Sequence, residues 1–216
     1  MNGFLFFFSL ILLVSLSIGS AFGVSKNTAP APTMLLVNKY LQIFEEDGNI
    51  LTAEDIVDKY QQNTLSANGS GKVSWGFTDK TIWGVLPVEP YAYELNISNN
   101  EVENAPDSAF IPLKIKIDNA WLDQIDVYFF EGGQRKRHIS LGDDNVHSSR
   151  AENTRMPSAF FRITTPETLV VFRFASEDPM TIPIYMGTSR AAQSQSTENA
   201  YFYGALYGSL IILLVY

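Results

Sequence analysis

The hydrophobic and polar positions of the chain divide it into two apolar ends and a long, mostly polar middle. One apolar end runs from Phe4 to Ile18, and the other runs from Ala200 to Tyr216 without a charged residue. From residue 81 onward, apolar residues in the middle recur at every second position, which is the period of a strand with one buried face. The pattern predicts a β-rich domain between two apolar segments.

Five segments of the middle carry strand patterns. Residues 113–117, 125–129 and 161–164 alternate between apolar and polar, whereas residues 169–175 and 181–186 are apolar on both faces or nearly so. A run that is apolar on both faces is typical of an inner strand. No helical pattern separates these segments, so the predicted fold is mainly β, an antiparallel β-sandwich with jelly-roll connectivity.

One short helix is predicted before the strands. Thr52 has the side chain of a helix N-cap, and Asp55, three residues later, completes an approximate capping box. Ile56, Val57 and Tyr60 then share one apolar face. The pattern predicts two to three helical turns that end before Asn63.

The apolar N-terminal end has the features of an export signal. The small residues Gly19, Ser20 and Ala21 close the apolar run, as a signal peptidase prefers, and residues 1–23 are therefore predicted to be a signal peptide. Only the α-amine of Met1 supplies a positive charge, so an uncleaved anchor is the alternative. Residues 24–33 are small, polar and proline-bearing, which is typical of a linker. The domain itself is expected over residues 34–198.

The second apolar end predicts the start of a transmembrane helix over residues 200–216. At about 1.5 Å per residue, this segment covers roughly 25 Å of the ~30 Å hydrocarbon core of a bilayer. We therefore expect the helix to continue beyond Tyr216 in a longer protein.

The amino-acid composition argues against several classes of function. The formal net charge is −8, which repels phosphate backbones and argues against nucleic-acid binding. The chain has no cysteine, which excludes disulfides and a thiol nucleophile and, in an exported protein, favours a bacterial periplasm or cell surface. The basic run from Arg135 to His138 follows turn residues and is predicted to lie at a hairpin tip.

Five pieces of sequence, in order, carry a family resemblance. They are Trp75 to Trp83, Ile117 to Tyr128, Leu141 to Asp143, Arg155 ahead of the strand at Phe161, and Val171 to Ser176. Their order and spacing resemble the type-two extracellular (periplasmic) sensor domain of bacterial seven-transmembrane receptors with diverse intracellular signalling modules (7TMR-DISM). The segment Tyr203 to Gly208 resembles the start of the first membrane helix of that family.

The resemblance implies a jelly-roll ectodomain, similar to carbohydrate-binding modules, that senses a ligand outside the bacterial inner membrane. The expected partners are a small polar ligand, with carbohydrate as one class, the membrane through the C-terminal helix, a second copy of the chain in a homodimer, and a cytoplasmic output domain that this chain lacks. No cofactor, metal or catalytic residue is expected. Two departures from the family pattern are Ala120 in place of proline, and Gly84-Val85 after Trp83. The alternative function is a membrane-anchored module that binds carbohydrate or cell wall without signalling.

Trp121 is the leading candidate for ligand contact. Sugars stack their C–H faces on aromatic rings while polar side chains take their hydroxyls, and Asp118, Asn119 and Asp123 flank Trp121 in the sequence. Arg155 is the fifth predicted binding residue. The alternative is that Trp121 caps the sandwich core.

The remaining aromatic and charged candidates are interpreted as structural. Trp75 and Trp83, eight residues apart in an extended segment, are predicted to be core residues on the same face. Arg173, inside an apolar strand, must be paired if it is buried, and an ion pair with an aspartate is favoured over a binding role.

Three further roles for polar residues, a catalytic carboxylate pair, histidine ligands and a calcium loop, each have a simpler structural explanation. Asp118, Asp123 and Asp126 could supply a glycosidase pair, but carboxylates at a turn also serve backbone hydrogen bonds. His138 and His147 are interpreted as surface histidines. Residues 142–145 have oxygen ligands that calcium could use, but they are predicted to form a turn.

Overall fold

The structure, a computed structural model, describes residues 33–88, 111–144, 156–163 and 167–215. The predicted signal peptide and all but the last residue of the predicted linker lie outside these ranges, so both stay predictions. The described residues form β-strands, one short 3-10 turn (Asn38–Tyr40) and two α-helices, α1 (Ala53–Gln61) and α2 (Ser189–Val215). The strands are β1 (Leu35–Leu36), β2 (Gln42–Glu46), β3 (Ser66–Ala67), β4 (Ser74–Gly76), β5 (Thr81–Pro87), β6 (Ile111–Ile117), β7 (Gln124–Glu131), β8 (Gln134–Leu141), β9 (Ser158–Ile163), β10 (Leu169–Ala175), β11 (Met180–Thr181) and β12 (Ile184–Thr188).

The strands pair into two main antiparallel sheets. The four-stranded sheet has the order β1-β12-β6-β9, and the six-stranded sheet has the order β3-β2-β5-β10-β7-β8. Strands β4 and β11 form a separate pair. One continuous buried cluster takes side chains from both main sheets, so the two sheets pack face to face. The mainly antiparallel β architecture is confirmed, while the jelly-roll connectivity stays a prediction.

Strand β10 shows how alternation assigns side chains to the two faces of the six-stranded sheet. Val170, Phe172 and Phe174 belong to the core between the sheets. Val171, between them, belongs to a second cluster on the outer face, together with Ile56 and Val57 of α1. The strand is therefore buried on both faces, as its sequence predicts, because α1 covers the face that the other sheet does not.

Helix α1 begins with the predicted capping box. The Asp55 backbone N–H donates to Thr52 Oγ1 at 3.2 Å, and the Thr52 backbone N–H donates to Asp55 Oδ2 at 2.8 Å. These reciprocal bonds satisfy two of the backbone donors that a helix start leaves open. The buried residues Ile56 and Val57 confirm the predicted apolar face.

Helix α2 begins eleven residues earlier than predicted. It starts at Ser189, directly after β12, rather than at Ala200. The Thr188 hydroxyl accepts a hydrogen bond from the Ala191 N–H at 3.2 Å, and Ala191 is buried. The polar residues before Ala200 carry no apolar signal, so tertiary contact and this hydroxyl cap set the start. In the described part of the chain, α2 is the one helix long and apolar enough to cross a membrane.

Two strand predictions need correction. The apolar run 181–186 is not one strand, because β11 ends at Thr181 and β12 begins at Ile184 after Pro183, which has no N–H for a ladder bond. The basic run from Arg135 to His138 is not at a hairpin tip. It lies along β8, an edge strand, and the turn consists of Gly132 and Gly133.

The prediction that Trp75 and Trp83 share a core face is wrong. Trp83 is buried beneath α1 on the outer face of the six-stranded sheet, whereas Trp75 is partly buried and packs against the core between the sheets. The segment between them is not extended, since Gly76 has φ +67° and the chain bends at residue 77 and at residues 79–80. The period-two rule therefore does not apply across it.

Candidate functional site

Four of the five predicted binding residues, Asp118, Asn119, Trp121 and Asp123, lie at one end of the sandwich, which we call the loop end. Thr188, where α2 begins, pairs with Leu113, while Ile184 pairs with Ile117 at the other end of β6. Residues 118–123 follow Ile117 and so leave the sheet at the end opposite to Thr188. The pairing of Gln124 with Ala175 places the loop after β10 at the same end.

Trp121 is held on a tight turn at the loop end. Its side chain is 69% exposed, so the alternative that it caps the core is wrong. The Trp121 backbone N–H donates to Asn119 Oδ1 at 3.0 Å, and Asn119 Nδ2 donates to the Thr181 carbonyl oxygen at 2.8 Å. Asn119 thus shapes the turn and anchors it to β11, and the indole faces solvent.

Asp123 and Asp118 are also engaged by neighbouring protein groups. Asp123 Oδ2 accepts from Ser176 Oγ at 2.8 Å and from the Glu177 N–H at 2.7 Å, which ties the Trp121 loop to the loop after β10. Asp118 Oδ1 lies 3.2 Å from Lys116 Nζ. The fifth predicted residue, Arg155, lies outside the described residues. The structure therefore brings Asp118, Asn119, Trp121 and Asp123 together on one loop.

A turn at residues 142–144, which begins with Gly142, packs against the loop that contains Trp121. The Asp143 and Asp144 N–H groups donate to the Leu122 and Asp123 carbonyl oxygens at 2.9 and 3.1 Å. Gly142 has φ +104°, and a Cβ built on it would collide with the Asp123 carbonyl oxygen. The predicted turn is confirmed for residues 142–144, whereas Asn145 lies outside the described residues.

An open cleft of about 930 Å³ lies between the loops at this end. Its described lining contains five carboxylates: Asp79, Asp123, Asp144, Glu177 and Asp178. Phe77 also lines it and is 80% exposed. Carboxylates accept hydrogen bonds from hydroxyl or ammonium groups, and an exposed ring offers a stacking face. Sequence reasoning missed Phe77 and the acidic residues after β10, because their loops meet only in the folded chain.

A second polar cluster lies on the outer face of the six-stranded sheet, beside α1. Arg173 Nη1 donates to Asp126 Oδ2 at 3.0 Å, and Arg173 Nη2 donates to Asn49 Oδ1 at 2.8 Å. The guanidinium, a side chain only 10% exposed, is thus matched with partners. The predicted ion pair with an aspartate is confirmed. A cleft of about 550 Å³ lies above it, with Trp83, Tyr128 and Arg135 in its lining.

His138 extends this cluster onto β8. It is a surface residue, as predicted, but its Nε2 lies 2.8 Å from Asp126 Oδ1 and its ring stacks on Tyr128 with centroids 4.4 Å apart. Burial, and then the charge of Asp126, raise the pKa of Tyr128 above its ordinary value of 10.0 against the opposing charges of Arg173 and Arg135. The outward alternation of Asp126 and Tyr128 along β7 was the available sequence signal. His147 lies outside the described residues.

Glu46 anchors the chain that leads into α1. Its Oε1 accepts from the Ile50 and Leu51 N–H groups at 2.6 and 2.7 Å, and its Oε2 accepts from Trp83 Nε1 at 2.8 Å. Burial alone would raise the pKa of Glu46, but these hydrogen bonds and the charge of Arg173 outweigh burial and lower it below 4.5. A buried carboxylate with three donors is therefore a structural anchor.

The three carboxylates considered for a glycosidase pair, Asp118, Asp123 and Asp126, each contact polar groups of the protein. Asp123 holds the loop after β10, and Asp126 is shared between Arg173, His138 and Ser140. Within the described ranges, no group of three or more His, Asp and Glu side chains is arranged to hold a metal ion. The described surface at the loop end is polar and acidic, with the exposed rings of Trp121 and Phe77.

Comparison with known proteins gives one finding about family. A family model described as 7TMR-DISM extracellular 2 matches residues 38–188, which is more than half of the chain. The match begins at the 3-10 turn and ends at Thr188, the last residue of β12. No curated protein sequence matches the chain.

Proposed function

The chain belongs to the 7TMR-DISM extracellular 2 family, and we propose on this premise that residues 34–198 are the ligand-sensing domain of a bacterial signal-transduction receptor. The family is that of a receptor-type extracellular domain, and α2 adds a candidate membrane span directly after it. The proposal adds the ligand, a small polar molecule with carbohydrate as the first class, and the place, the outer side of a bacterial inner membrane.

The observation that carries the sensing role is a hydrogen-bonded connection from the Trp121 turn to α2. Asn119 Nδ2 donates to the Thr181 carbonyl oxygen at 2.8 Å, and the Asp118 N–H donates to the Pro183 carbonyl oxygen at 2.9 Å. Residues 181–183 lead into β12, and β12 passes into α2 without a loop. A displacement of the Trp121 turn can therefore pass through these two hydrogen bonds to residues 181–183 and along β12 to α2.

The joint between β12 and α2 is tightly packed. A Cβ built on Gly187 would lie 3.1 Å from Met34 Cγ and 3.4 Å from Ala191 Cβ. Met34, which directly precedes β1, strand β12 and the first turn of α2 therefore meet at a position where only a glycine fits without displacement. Close packing transmits small shifts, and a ligand biases two states of such a joint by its differential affinity for them.

The ligand end of the proposal rests on Trp121 and its neighbours. An indole 69% exposed on an ordered turn offers a stacking plane, and Asp118, Asn119, Asp123 and Arg155 are the proposed hydrogen-bonding residues. Because Asp123 already accepts two hydrogen bonds, we assign it the additional role of holding the two loops in register. The acidic cleft beside it supplies acceptors for ligand hydroxyls.

The test uses the absence of cysteine in the sequence, which makes single-site labelling specific. A spin label at Gln193→Cys on the exposed side of α2 is followed in nanodiscs while a panel of glycans and small polar metabolites is added. A sensor gives saturable binding together with a changed label spectrum. Binding with an unchanged spectrum supports the alternative, an anchored binding module. Absence of binding across the panel contradicts the ligand class.

A further inference from the structure

A separate cleft of about 250 Å³ lies between the outer face of the four-stranded sheet and the first turns of α2. We call it the α2 cleft. The sheet side contributes Lys114, Lys116 and Ser158, and the helix side contributes Gln195, Ser196 and Asn199. At ~30 Å³ per water molecule, the volume holds roughly eight waters, enough for a small hydrated group.

The lining of the α2 cleft has the opposite chemistry to that of the loop-end cleft. Two ammonium groups, two hydroxyls and two carboxamides line it together with the apolar side chains of Met34, Met156 and Ala192, and none of the described lining residues is acidic. The loop-end cleft carries five carboxylates, and the chain as a whole has a net charge of −8. A cleft whose two charged lining groups are both cationic is therefore a local exception, and these ammonium groups together with the hydroxyl and carboxamide donors suit an oxyanion.

The two lysines are positioned by the face of the sheet. They are two residues apart on β6, so their side chains leave the same face roughly 7 Å apart. Lys114 Nζ lies 4.8 Å from the Phe160 ring centroid, and Lys116 Nζ lies 5.1 Å from the Tyr185 ring centroid. Lys116 also pairs with Asp118 at 3.2 Å, so an oxyanion would share this ammonium with Asp118. The aromatic contacts preorganise both charges.

The helix side of the cleft adjoins the membrane-spanning segment. Asn199 is followed by Ala200, the first residue of the uncharged apolar stretch. The next turns expose Tyr201, Tyr203 and Tyr207, the residue type that gathers at the membrane interface. From Asn199 back to Gln195 is about 6 Å of helix, comparable with the ~5–7 Å headgroup layer on one side of a bilayer. Headgroup phosphates can therefore reach the cleft.

We propose that the α2 cleft binds a phosphate-type oxyanion between Lys114 and Lys116 of the sheet and the polar face of α2. The same chemistry is supplied by the phosphodiester of an anionic lipid headgroup and by free inorganic phosphate. Because one wall belongs to the domain and the other to α2, the bound anion links the two and sets how firmly the helix follows β12. This inference does not depend on a ligand at the loop end.

The test follows the reactivity of individual lysines in the full chain. The chain is reconstituted in nanodiscs of phosphatidylcholine alone and in nanodiscs that contain 30% phosphatidylglycerol. Acetylation of each lysine is then measured by mass spectrometry, with Lys80, at the loop end, as the internal reference. If a lipid headgroup binds, the acetylation of Lys114 and Lys116 becomes at least threefold slower relative to that of Lys80, and only in the discs that contain phosphatidylglycerol. Free phosphate slows them equally in phosphatidylcholine discs when it is added.

A helix variant separates the cleft from a general effect of surface charge. Gln195→Ala with Asn199→Ala removes two donors and leaves both reporter lysines in place, so protection should fall by at least half. The control is Gln193→Ala with Thr197→Ala on the same turns, which should retain full protection. If all lysines slow together, or if neither lipid nor phosphate protects Lys114 and Lys116, the proposal is wrong. Glycan binding at the loop end is measured in a separate experiment. Failure of the α2-cleft proposal therefore leaves the proposed ligand site at the loop end untouched, and the reverse also holds.

Discussion

Arg173 and Asp126 lie 47 residues apart in the chain and are joined by a hydrogen bond of 3.0 Å between neighbouring strands of the six-stranded sheet. Their side chains are 10% and 15% exposed. A pair so far removed from water depends on both partners, because either charge alone lacks compensation. The pair also connects α1's loop, through Asn49, to β8, through His138.

Removing one member of this pair should destabilise the domain strongly. We expect Asp126→Leu to lower the free energy of unfolding by about 3 kcal/mol, because the guanidinium remains buried without its carboxylate. The double variant with Arg173→Met should recover most of that loss, since two apolar side chains replace both charges. Chemical denaturation followed by tryptophan fluorescence measures the free energy of unfolding of the native chain, of each single variant (Asp126→Leu and Arg173→Met) and of the double variant.

The surface pair Lys80–Asp47 is the matched control for this cycle. Its Nζ–Oδ1 distance is 3.2 Å, similar to that of the buried pair, but its side chains are 38% and 84% exposed. Lys80→Met should therefore change the free energy of unfolding by less than about 1 kcal/mol. Equal losses for Asp126→Leu and Lys80→Met would contradict the importance of burial.

Trp121 and Trp83 should respond in opposite ways to truncation. Trp121→Ala removes an exposed side chain, so the free energy of unfolding should change by no more than about 0.5 kcal/mol while affinity for the proposed ligand falls several-fold. Trp83→Ala leaves a cavity under α1 and should cost about 3–5 kcal/mol. Ile50→Ala, at a side chain 84% exposed and outside the loop-end cleft, controls for the loss of exposed apolar surface. Unchanged ligand affinity in folded Trp121→Ala would remove Trp121 from the site.

Gly142 is expected to be intolerant of any side chain. Gly142→Ala places a Cβ against the Asp123 carbonyl, so the turn must move and the hydrogen bonds of Asp143 and Asp144 weaken, at about 1 kcal/mol each. The control is Gly132→Ala, since Gly132 also has positive φ but no heavy atom within 4 Å of a built Cβ. Gly132→Ala should cost only the backbone strain of about 1–2 kcal/mol. Equal thermal shifts in the two variants would exclude the close approach as the cause.

Glu46 should make the domain sensitive to acid. Its pKa is lower in the folded state than the ordinary 4.5, so the unfolded chain takes up the proton first as pH falls. The stability that Glu46 contributes is therefore fully present above pH 4.5 and is lost as pH falls through its folded pKa. The denaturant concentration at the midpoint of unfolding, measured from pH 7 to pH 3, should fall below about pH 4.5; we call this part of the curve the acid limb.

The variant Glu46→Gln isolates that contribution. An amide cannot titrate and cannot accept from Trp83 Nε1 through its nitrogen, so this variant should be less stable at pH 7 and should show a shallower acid limb. Asp55 also has a lowered pKa, through the hydroxyl and then the backbone N–H of Thr52, so part of the limb remains. An acid limb identical in slope to that of the native chain would assign the sensitivity to other carboxylates.

Local patterns in the sequence determined helix α1 and the strands β6, β7, β9 and β10. The capping box at Thr52 and Asp55, the alternation of β6, β7 and β9 and the continuous apolar run of β10 involve residues a few positions apart, so the chemistry that forms them is visible in a short window. The order of the family motifs likewise indicated the domain that the family match shows. Burial of an arginine within an apolar strand predicted that Arg173 needs an acidic partner.

Only the tertiary structure decided which partners and faces those residues found. Periodicity gives two faces to β5 but does not show that α1 covers one of them, so Trp83 and Trp75 were assigned to a common core when they belong to different clusters. The exposure of Trp121 depends on Asn119 bonding to Thr181, 62 residues away. The start of α2 depends on Thr188 and on the burial of Ala191 against the sheet, because the polar first turns have no apolar pattern of their own. Contacts between distant segments form only when the sheets pack, and so no local window of sequence contains them.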